Sequence, residues 1–237
     1  MLAPLSNHLL NSLSQETRTA LEGSLLAVAL PARTPIFEPG IRPVYAYFLT
    51  SGIASVVTDM EGHHPIEVGL LGRESVTSAL SLLGPQSNST RCFMQISGTG
   101  LRIEYVELMR WFRSHSDLHG RILQQVQYEA FTLTQLSACN RLHGVEERLA
   151  RWLLMVADRI GDGELPVTQE FLGQMLGARR STVTVSAGTL ERAGLIESSR
   201  GRIRIVNRQN LVGAACACYP NMRKLHRDIF ATRPARV

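Results

Sequence analysis

The chain has 237 residues, of which 44% are hydrophobic and 19% are charged, and its formal net charge is +5. This length suits one large or two small domains with a real core. No apolar run approaches the ~20 residues that cross a bilayer, and the N-terminal segment lacks the basic and apolar regions of a secretory signal. We therefore expect a cytoplasmic protein with no membrane partner.

Residues 5–27 predict a helix with a stripe of leucines, and residues 29–103 then change to short β-prone runs. Gly and Pro residues separate these runs, which is typical of an antiparallel sandwich or barrel. The predicted strands are residues 44–49, 53–58, 66–71, 92–96 and 100–103.

A long helical region is predicted from Val106 to Arg141. Apolar residues recur within it at the spacing of a coiled-coil seam, although Glu129 interrupts the pattern. The seam residues are Leu118, Ile122, Val126, Leu133 and Leu136. Either the helix packs on its own domain or it joins two chains. We favour dimerisation because so small a β-domain cannot cover a helix of this length.

Residues 165–206 predict a helix, a tight turn, a second helix and a basic β-hairpin. Thr168 can cap the first helix with its hydroxyl group, and Gly177 can adopt the left-handed backbone of the turn. The second helix is expected from about Arg180 to Ala193, and it would bury three residues on its inner face. These residues are Val183, Ala187 and Leu190. The pattern predicts a winged helix-turn-helix.

The exposed side chains of this segment are arginines and small hydroxyl residues, whereas a purely structural helical hairpin, the alternative, usually carries Glu or Lys there. Arg180 can bind guanine with two hydrogen bonds, and the other side chains suit phosphate oxygens. The candidate DNA-binding residues are Thr168, Gln169, Arg179, Arg180, Ser181, Thr182, Thr184, Arg200, Arg202 and Arg204. The last three form a row of cations on one face of the hairpin.

The charge of the chain divides near His143 and Gly144, which are expected to break the long helix before an amphipathic helix at 145–160. Residues 1–142 have a net charge of −1, and residues 143–237 have a net charge of +6. A basic C-terminal half fits a nucleic-acid partner because phosphate contacts release counterions.

These patterns predict an α+β fold in three parts. Residues 1–113 form an antiparallel, jelly-roll-like β-roll, residues 114–142 form a dimerisation helix and hinge, and residues 143–237 form a winged helix-turn-helix domain.

The chain resembles the Crp/Fnr family of bacterial transcription regulators along nearly its whole length. The resemblance is strongest in the helix-turn-helix, at Thr168, Leu172, Gly173, Gly177, Arg180, Thr182 and Val183, and it extends to CNRLHGVEERLARWLL at 139–154. In the N-terminal half, FEPG (37–40), YFLTSGIASVV (47–57) and EVGLLGRES (67–75) are similar to the family's β-roll. The resemblance implies a homodimer that binds a near-palindromic operator in double-stranded DNA and contacts RNA polymerase.

The chain departs from the family in its ligand pocket and in its recognition helix. Members that bind cyclic AMP hold it with a Glu and an Arg-Ser pair, and these positions fall on Thr77 and on Asn88 and Ser89. A cyclic phosphate needs a charged partner, so we expect a degenerate pocket without cyclic-AMP control and an unknown effector. Ser181 and Val185 replace the family's usual Glu and Arg, which predicts a divergent operator with Val185 against a thymine methyl group.

Two other functions are weaker alternatives. Haem sensing would need an axial ligand, and His8, His63, His64, His115 and His119 are the available histidines. A cupin-like metal enzyme would need clustered ligands, for which His63, His64 and Glu67 are the candidates. No catalytic signature occurs elsewhere, so we expect no enzyme activity.

The four cysteines form neither a CxxC pair nor a disulfide framework, and none lies in the N-terminal cluster that iron–sulfur members of the family need. The cysteines are Cys92, Cys139, Cys216 and Cys218. Cys216 and Cys218 are open to metal or redox roles. Their spacing is expected to place them on different faces of a helix, with no ligand cluster nearby. Free thiols without a metal or cofactor are the expectation.

Overall fold

The computed structural model describes residues 7–59, 61, 65–84, 87–161 and 163–231. These residues form two compact units. The first unit comprises the described parts of Met1–Val57, Gly69–Ala130 and Asp228–Val237, and the second comprises those of Thr58–Val68 and Phe131–Arg227. The three predicted domain ranges stay a prediction.

The first unit begins with two short helices, α1 (His8–Asn11) and α2 (Gln15–Glu22), where the sequence predicted one. Residues 5 and 6 of the predicted helix lie outside the described residues. Ser14 separates α1 from α2 because its side chain accepts the N–H of Thr17 and caps the second helix. The predicted helix was also wrong at its end, since Leu26 already belongs to a strand.

Two antiparallel sheets follow. Their strands are β1 (Leu26–Leu30), β2 (Pro35–Phe37), β3 (Tyr45–Leu49), β4 (Ile53–Thr58), β5 (Ile66–Leu71), β6 (Arg91–Ile96) and β7 (Gly98–Glu104). One sheet has the order β1-β7-β3 and the other has the order β2-β6-β4-β5. The predicted N-terminal antiparallel β-domain is confirmed. The sequence-based prediction missed β1 and β2, both of which border a proline.

The core of the first unit lies between the β1-β7-β3 sheet and the helices. Phe48, Leu101 and Ile103 of the sheet belong to one buried cluster with Leu118 and Ile122 of the long helix. Burial of each large apolar side chain stabilises the fold by about 1.5–3 kcal/mol. This cluster therefore holds the beginning of the long helix against the β-domain.

The predicted long helical region is two helices, α3 (Tyr105–Ser114) and α4 (Ser116–Leu142). His115 separates them with an extended backbone at φ −120° and ψ 106°. The prediction that Leu118 and Ile122 begin an intermolecular seam was wrong, because both are fully buried within the first unit. Leu133, further along α4, is 37% exposed, and neighbouring Phe131 is 49% exposed.

A buried glutamine fixes α4 to a loop of the β-domain. The Gln125 amide donates to the carbonyl of Val76 at 2.8 Å and accepts the N–H of Val76 at 2.9 Å. It also donates to Glu129 at 2.7 Å. Removal of the Glu129 carboxyl group from solvent raises its pKa to about 7, and although the Gln125 bond lowers that pKa, the nearby charge of Glu74 raises it further.

The second unit contains the end of α4 and the remaining elements. They are α5 (Val145–Ile160), β8 (Glu164–Leu165), α6 (Gln169–Leu176), α7 (Arg180–Arg192), β9 (Ile196–Ser199), β10 (Arg202–Ile205), α8 (Arg208–Ala214) and the first part of α9 (Cys218–Ala231). The strands form a small antiparallel sheet in the order β8-β10-β9. Helix α5 packs against α6, α7 and α8. The predicted C-terminal winged helix-turn-helix is confirmed.

Within the described ranges, no helix is both long enough and apolar enough to cross a bilayer.

The raised pKa of Glu129 predicts a pH-dependent stability. Between the ordinary value of 4.5 and about 7, the folded state keeps a proton that the unfolded chain releases. The contribution of this carboxyl group is therefore fully present below about pH 4.5, and it is lost as the pH rises through about 7. We expect Glu129→Gln to raise the free energy of unfolding at pH 8 by on the order of 1–3 kcal/mol, with little change at pH 5.

Urea unfolding at the two pH values measures this difference. Glu22→Gln, which changes an exposed carboxyl group on α2, is the control and should behave alike at both values. An equal effect of Glu129→Gln at pH 5 and pH 8 would contradict the assignment.

Candidate nucleic-acid interface

The two helices of the helix-turn-helix are held by a cap, a glycine turn and a close helix approach. The Thr168 hydroxyl accepts the N–H of Phe171 at 3.2 Å and begins α6, and Gly177 ends it with φ +57°. A Cβ atom on Gly173 would lie 3.0 Å from the carbonyl oxygen of Ala178. Glycine at position 173 therefore lets the backbone of the turn approach α6.

The inner face of α7 is buried as predicted. Val183 is fully buried, and Ala187 and Leu190 are each 1% exposed. Because residues three and four apart share a helix face, this burial directs the opposite face of α7 to solvent. Leu172 and Met175 of α6 are also buried, whereas Phe171 is only half-buried.

The N-terminal half of α7 presents a continuous exposed surface. Its members are the N-cap residue Arg179 and the helical residues Arg180, Ser181, Thr182, Thr184 and Val185. We call these six residues the reading face. Val185 is 67% exposed. The face combines two cations, three hydroxyl groups and one apolar group.

One residue of the reading face is oriented by both helices. The Thr184 hydroxyl lies 2.8 Å from Oε1 of Gln169 and 3.0 Å from the carbonyl oxygen of Arg180, and these two acceptors share its one proton. The contact with Gln169 joins the beginning of α6 to the second turn of α7. Gln169 therefore lies beside the reading face, where the sequence placed it as a candidate.

The wing is the hairpin of β9 and β10. Arg200 and Gly201 form its turn, with φ +43° and +80°. The prediction of three presented cations needs a correction: Arg202 pairs with Glu164 at 2.7 Å, and Arg204 pairs with Glu197. Arg200 has no ion pair among the described residues. Exposed ion pairs contribute at most about 1 kcal/mol, so both arginines can exchange a carboxylate for another anion at small cost.

Two of the three predicted ligand-pocket residues of the first unit already have protein partners. Thr77 is fully buried, and its hydroxyl accepts the N–H of Tyr47 at 2.9 Å while its own N–H donates to the Tyr47 carbonyl at 2.9 Å. Asn88 is half-buried and accepts the Ser81 hydroxyl at 2.7 Å. Ser89 is exposed.

The histidines proposed as haem or metal ligands show no common site within the described ranges. His115 stacks on Trp111 with ring centroids 4.2 Å apart, and His119 stacks on Phe112 at 4.3 Å. His8 is exposed. The cupin candidates His63 and His64 lie outside the described residues.

The third cupin candidate, Glu67, is already engaged in the second unit. Its Oε1 atom accepts the indole N–H of Trp152 at 2.7 Å. This carboxylate therefore has a structural partner.

The expectation for Cys216 and Cys218 was wrong. Cys216 lies in the connection before α9 and Cys218 is the first residue of that helix, so they do not occupy opposite faces of one helix. Both lie beside Cys139 and His143 from the end of α4. In the sequence, only the four-residue spacing of Cys139 and His143, which puts them on one helix face, could have indicated this cluster.

Comparison with known proteins agrees with this architecture. Residues 147–213 match the family model described as the Crp-like helix-turn-helix domain. The chain is 27% identical over 184 residues to the "Global nitrogen regulator" of Synechocystis sp., a match that covers 73% of this chain and 80% of that protein.

Solved structures show the fold. FixK2 from Bradyrhizobium japonicum has a TM-score of 0.69 at 16% identity, covering 81% of this chain and 98% of that one. TTHB099, a CRP-family transcriptional regulator from Thermus thermophilus, has a TM-score of 0.63 at 20% identity, covering 81% of this chain and 99% of that one.

The close approach at Gly173 predicts a position-specific loss of stability. Gly173→Val should lower the free energy of unfolding by about 1–3 kcal/mol, because the added atoms meet backbone atoms of the turn. Gly188→Val is the matched control on α7, where a Cβ would meet only the flexible end of Arg192. Chemical unfolding measures both variants, and equal losses would contradict the explanation.

Proposed function

We propose that this chain, a transcription regulator of the Crp/Fnr type, binds a near-palindromic operator as a homodimer and reads it with the reading face of α7. The exposed turns that begin α7 carry the proposal. A recognition helix presents its N-terminal residues to base edges in the major groove, and here those residues are arginines, hydroxyl residues and Val185.

Each member of the surface has a role that follows from its chemistry. Arg180 is exposed on the first turn and suits the O6 and N7 acceptors of guanine. Val185, two-thirds exposed, suits a thymine methyl group. Thr168, Arg179 and Thr182 suit phosphate oxygens, which fix orientation without reading sequence. Ser181 and Thr184 lie between these groups, and Gln169 holds Thr184.

The wing supplies phosphate contacts whose strength depends on salt. Arg200 at the turn can bind a phosphate without breaking an ion pair. Arg202 and Arg204 can bind phosphates only after they release Glu164 and Glu197. Both pairs are at least half exposed, so their exchange for phosphate costs little. The net charge of +6 on residues 143–237 favours this exchange.

Dimerisation is proposed through the part of α4 that leaves apolar side chains exposed. Phe131 and Leu133 are 49% and 37% exposed. A second copy of α4 would cover both side chains. The resulting dimer would carry two recognition helices, one for each half-site of the operator. RNA polymerase is the further partner that this type of regulator implies, and no catalytic role is proposed.

The β-roll is proposed to act without cyclic AMP. Thr77 and Asn88 offer no charge for a ribose or a cyclic phosphate, and the Thr77 hydroxyl and the Asn88 side-chain oxygen already bind Tyr47 and Ser81. A regulator gated by another small molecule, the alternative, would change its operator affinity when that molecule is added.

The base-reading role predicts the behaviour of Arg180→Ala. With an operator selected from random DNA, we expect its affinity to fall about 5- to 150-fold and its selectivity at one base pair to relax, since a two-bond guanine contact contributes about 1–3 kcal/mol. Arg192→Ala is the control: it removes the same charge from the last turn of α7. Fluorescence anisotropy with single-base operator variants measures both effects.

The proposed role of Arg180 fails if Arg180→Ala keeps the selectivity of the parent protein. It also fails if Arg192→Ala loses selectivity to the same degree, because a general charge effect would then explain both results.

The dimer proposal predicts that an aspartate in the exposed apolar part of α4 separates the subunits. Phe131→Asp should raise the dimer dissociation constant at least about tenfold, because a charge would be buried in an apolar contact. Leu26→Asp, at a 54% exposed leucine on strand β1, is the control. Sedimentation equilibrium measures the constant, and a parent protein that is monomeric at micromolar concentration would contradict the proposal.

A further inference from the structure

Three cysteines and one histidine from distant parts of the sequence meet inside the second unit. Cys139 lies in the last turn of α4 and His143 directly follows that helix, whereas Cys216 lies in the connection between α8 and α9 and Cys218 begins α9. Their ligand atoms all lie within 4.8 Å of one another. The three cysteines are buried and the histidine is half-buried. We call these four residues the thiol cluster.

The spacing of the thiol cluster fits the edges of a small tetrahedron. Two sulfur ligands of one tetrahedral Zn²⁺ stand about 3.8 Å apart, and a sulfur and a nitrogen ligand about 3.6 Å apart, given Zn–S and Zn–N bonds of about 2.3 and 2.05 Å. The Sγ atoms of Cys139 and Cys216 are 3.5 Å apart. The Sγ atom of Cys218 is 3.6 Å from Nδ1 of His143.

Two buried arginines on α5 also indicate a negatively charged group near the thiol cluster. Arg148 is 9% exposed and Arg151 is 3% exposed. Arg148 donates to the carbonyl of Leu176, and Arg151 donates to the sulfur of Met155 at 3.2 Å, so both of these acceptors are uncharged. The Nε atom of each has no hydrogen-bond partner among the described residues. Because buried charges are normally paired, we expect a negatively charged group near these guanidinium groups.

A metal site with three thiolates and one neutral histidine supplies that charge. Three thiolates around one divalent ion leave a net charge of −1. Both arginines lie on α5, and the backbone nitrogen of Cys216 lies 3.5 Å from the carbonyl oxygen of Glu147, the residue before Arg148. The guanidinium groups and the proposed anionic site therefore stabilise each other.

A neutral donor also orients one of the sulfur ligands. The Gln135 amide, one turn before Cys139 on α4, lies 3.1 Å from the Sγ atom of Cys218. Amide donors to metal-bound thiolates are a common second layer of such sites. The Gln135 amide would keep this hydrogen bond when Cys218 loses its proton, because a thiolate sulfur accepts it as well.

We propose that the thiol cluster is a closed structural Zn²⁺ site of the Cys₃His type. The ion would bind Sγ of Cys139, Cys216 and Cys218 and one ring nitrogen of His143. Any thiol protons present leave to solvent, and no oxidation occurs. Four protein ligands leave no open position for substrate, which is the mark of a structural rather than a catalytic zinc site.

Metal binding here would join the end of α4 to the α8–α9 connection within the second unit. Metal affinity that exists only in the folded state adds to folding stability. Removal of zinc is therefore expected to lower the midpoint of thermal unfolding and to free the end of α4, independently of any DNA.

Zinc content and cobalt substitution of the full-length protein test the proposal. We expect about one zinc per chain after purification under reducing conditions without added metal. We also expect the Co²⁺ form to show the intense visible bands of tetrahedral thiolate coordination. Cys139→Ser, Cys216→Ser and Cys218→Ser should each weaken Zn²⁺ affinity at least about tenfold in competition with a chromophoric chelator. His143→Gln should shift the cobalt bands.

The chain offers matched controls for both ligand types. Cys92→Ala removes the cysteine that lies in the β-domain outside the cluster, and His115→Gln removes a histidine that stacks on Trp111. Both controls should keep parent zinc content and cobalt spectrum. Circular dichroism of every variant separates loss of metal from loss of fold.

Three results would overturn the proposal. The first is a folded parent protein that binds no Zn²⁺ at micromolar concentration while its thiols are reduced. The second is zinc that the folded cysteine variants retain in full. The third is an iron–sulfur absorption spectrum or a Cys139–Cys216 disulfide in the native protein. None of these measurements uses DNA, so they do not depend on the operator-binding proposal.

Discussion

The packing of the inner face of α7 is the interaction on which the function depends. Val183, Ala187 and Leu190 are buried against the rest of the second unit, where α5 is a main neighbour. Burial of the two larger side chains contributes about 1.5–3 kcal/mol each, and it fixes the rotation of α7 about its axis. The same rotation presents Arg180 and Val185 to solvent. The residues proposed to read DNA are therefore positioned by residues that never touch it.

The charged groups of the second unit fall into two classes with different physical roles. Arg202 and Arg204 of the wing are exposed and paired with carboxylates, so their pairing contributes little to stability and can be exchanged. Arg148 and Arg151 are buried, where an unpaired charge is costly. The exposed arginines suit a transient polyanion such as DNA, whereas the buried arginines suit a permanent anionic neighbour within the protein.

Local sequence signals predicted the local structure well. Thr168, Gly177 and the spacing of Val183 and Leu190 determined the helix-turn-helix, because caps, turns and helix faces depend on residues close in sequence. The same signals failed where contacts between distant residues decide. The burial of Leu118 depends on the cluster that it shares with Phe48, and the pairing of Arg202 depends on Glu164, 38 positions away.

The thiol cluster is the clearest feature that the sequence alone could not predict. Cys139 and Cys216 are 77 positions apart, and only the folded chain brings their sulfur atoms within 3.5 Å. If Cys216 and Cys218 lay in one helix, their spacing would put the two sulfur atoms on different faces and would argue against a shared metal site. In the structure Cys216 lies before α9, so both sulfur atoms can reach the same site.

The proposed function requires that a pair of α7 helices reads a symmetric DNA sequence without cyclic AMP. Selection of bound DNA from a random pool by the purified full-length protein, with no ligand added, tests it most directly. We expect enrichment of one sequence that contains two inverted half-sites about one helical turn apart from centre to centre. Enrichment of no sequence, or of a single half-site without its inverted partner, would contradict it.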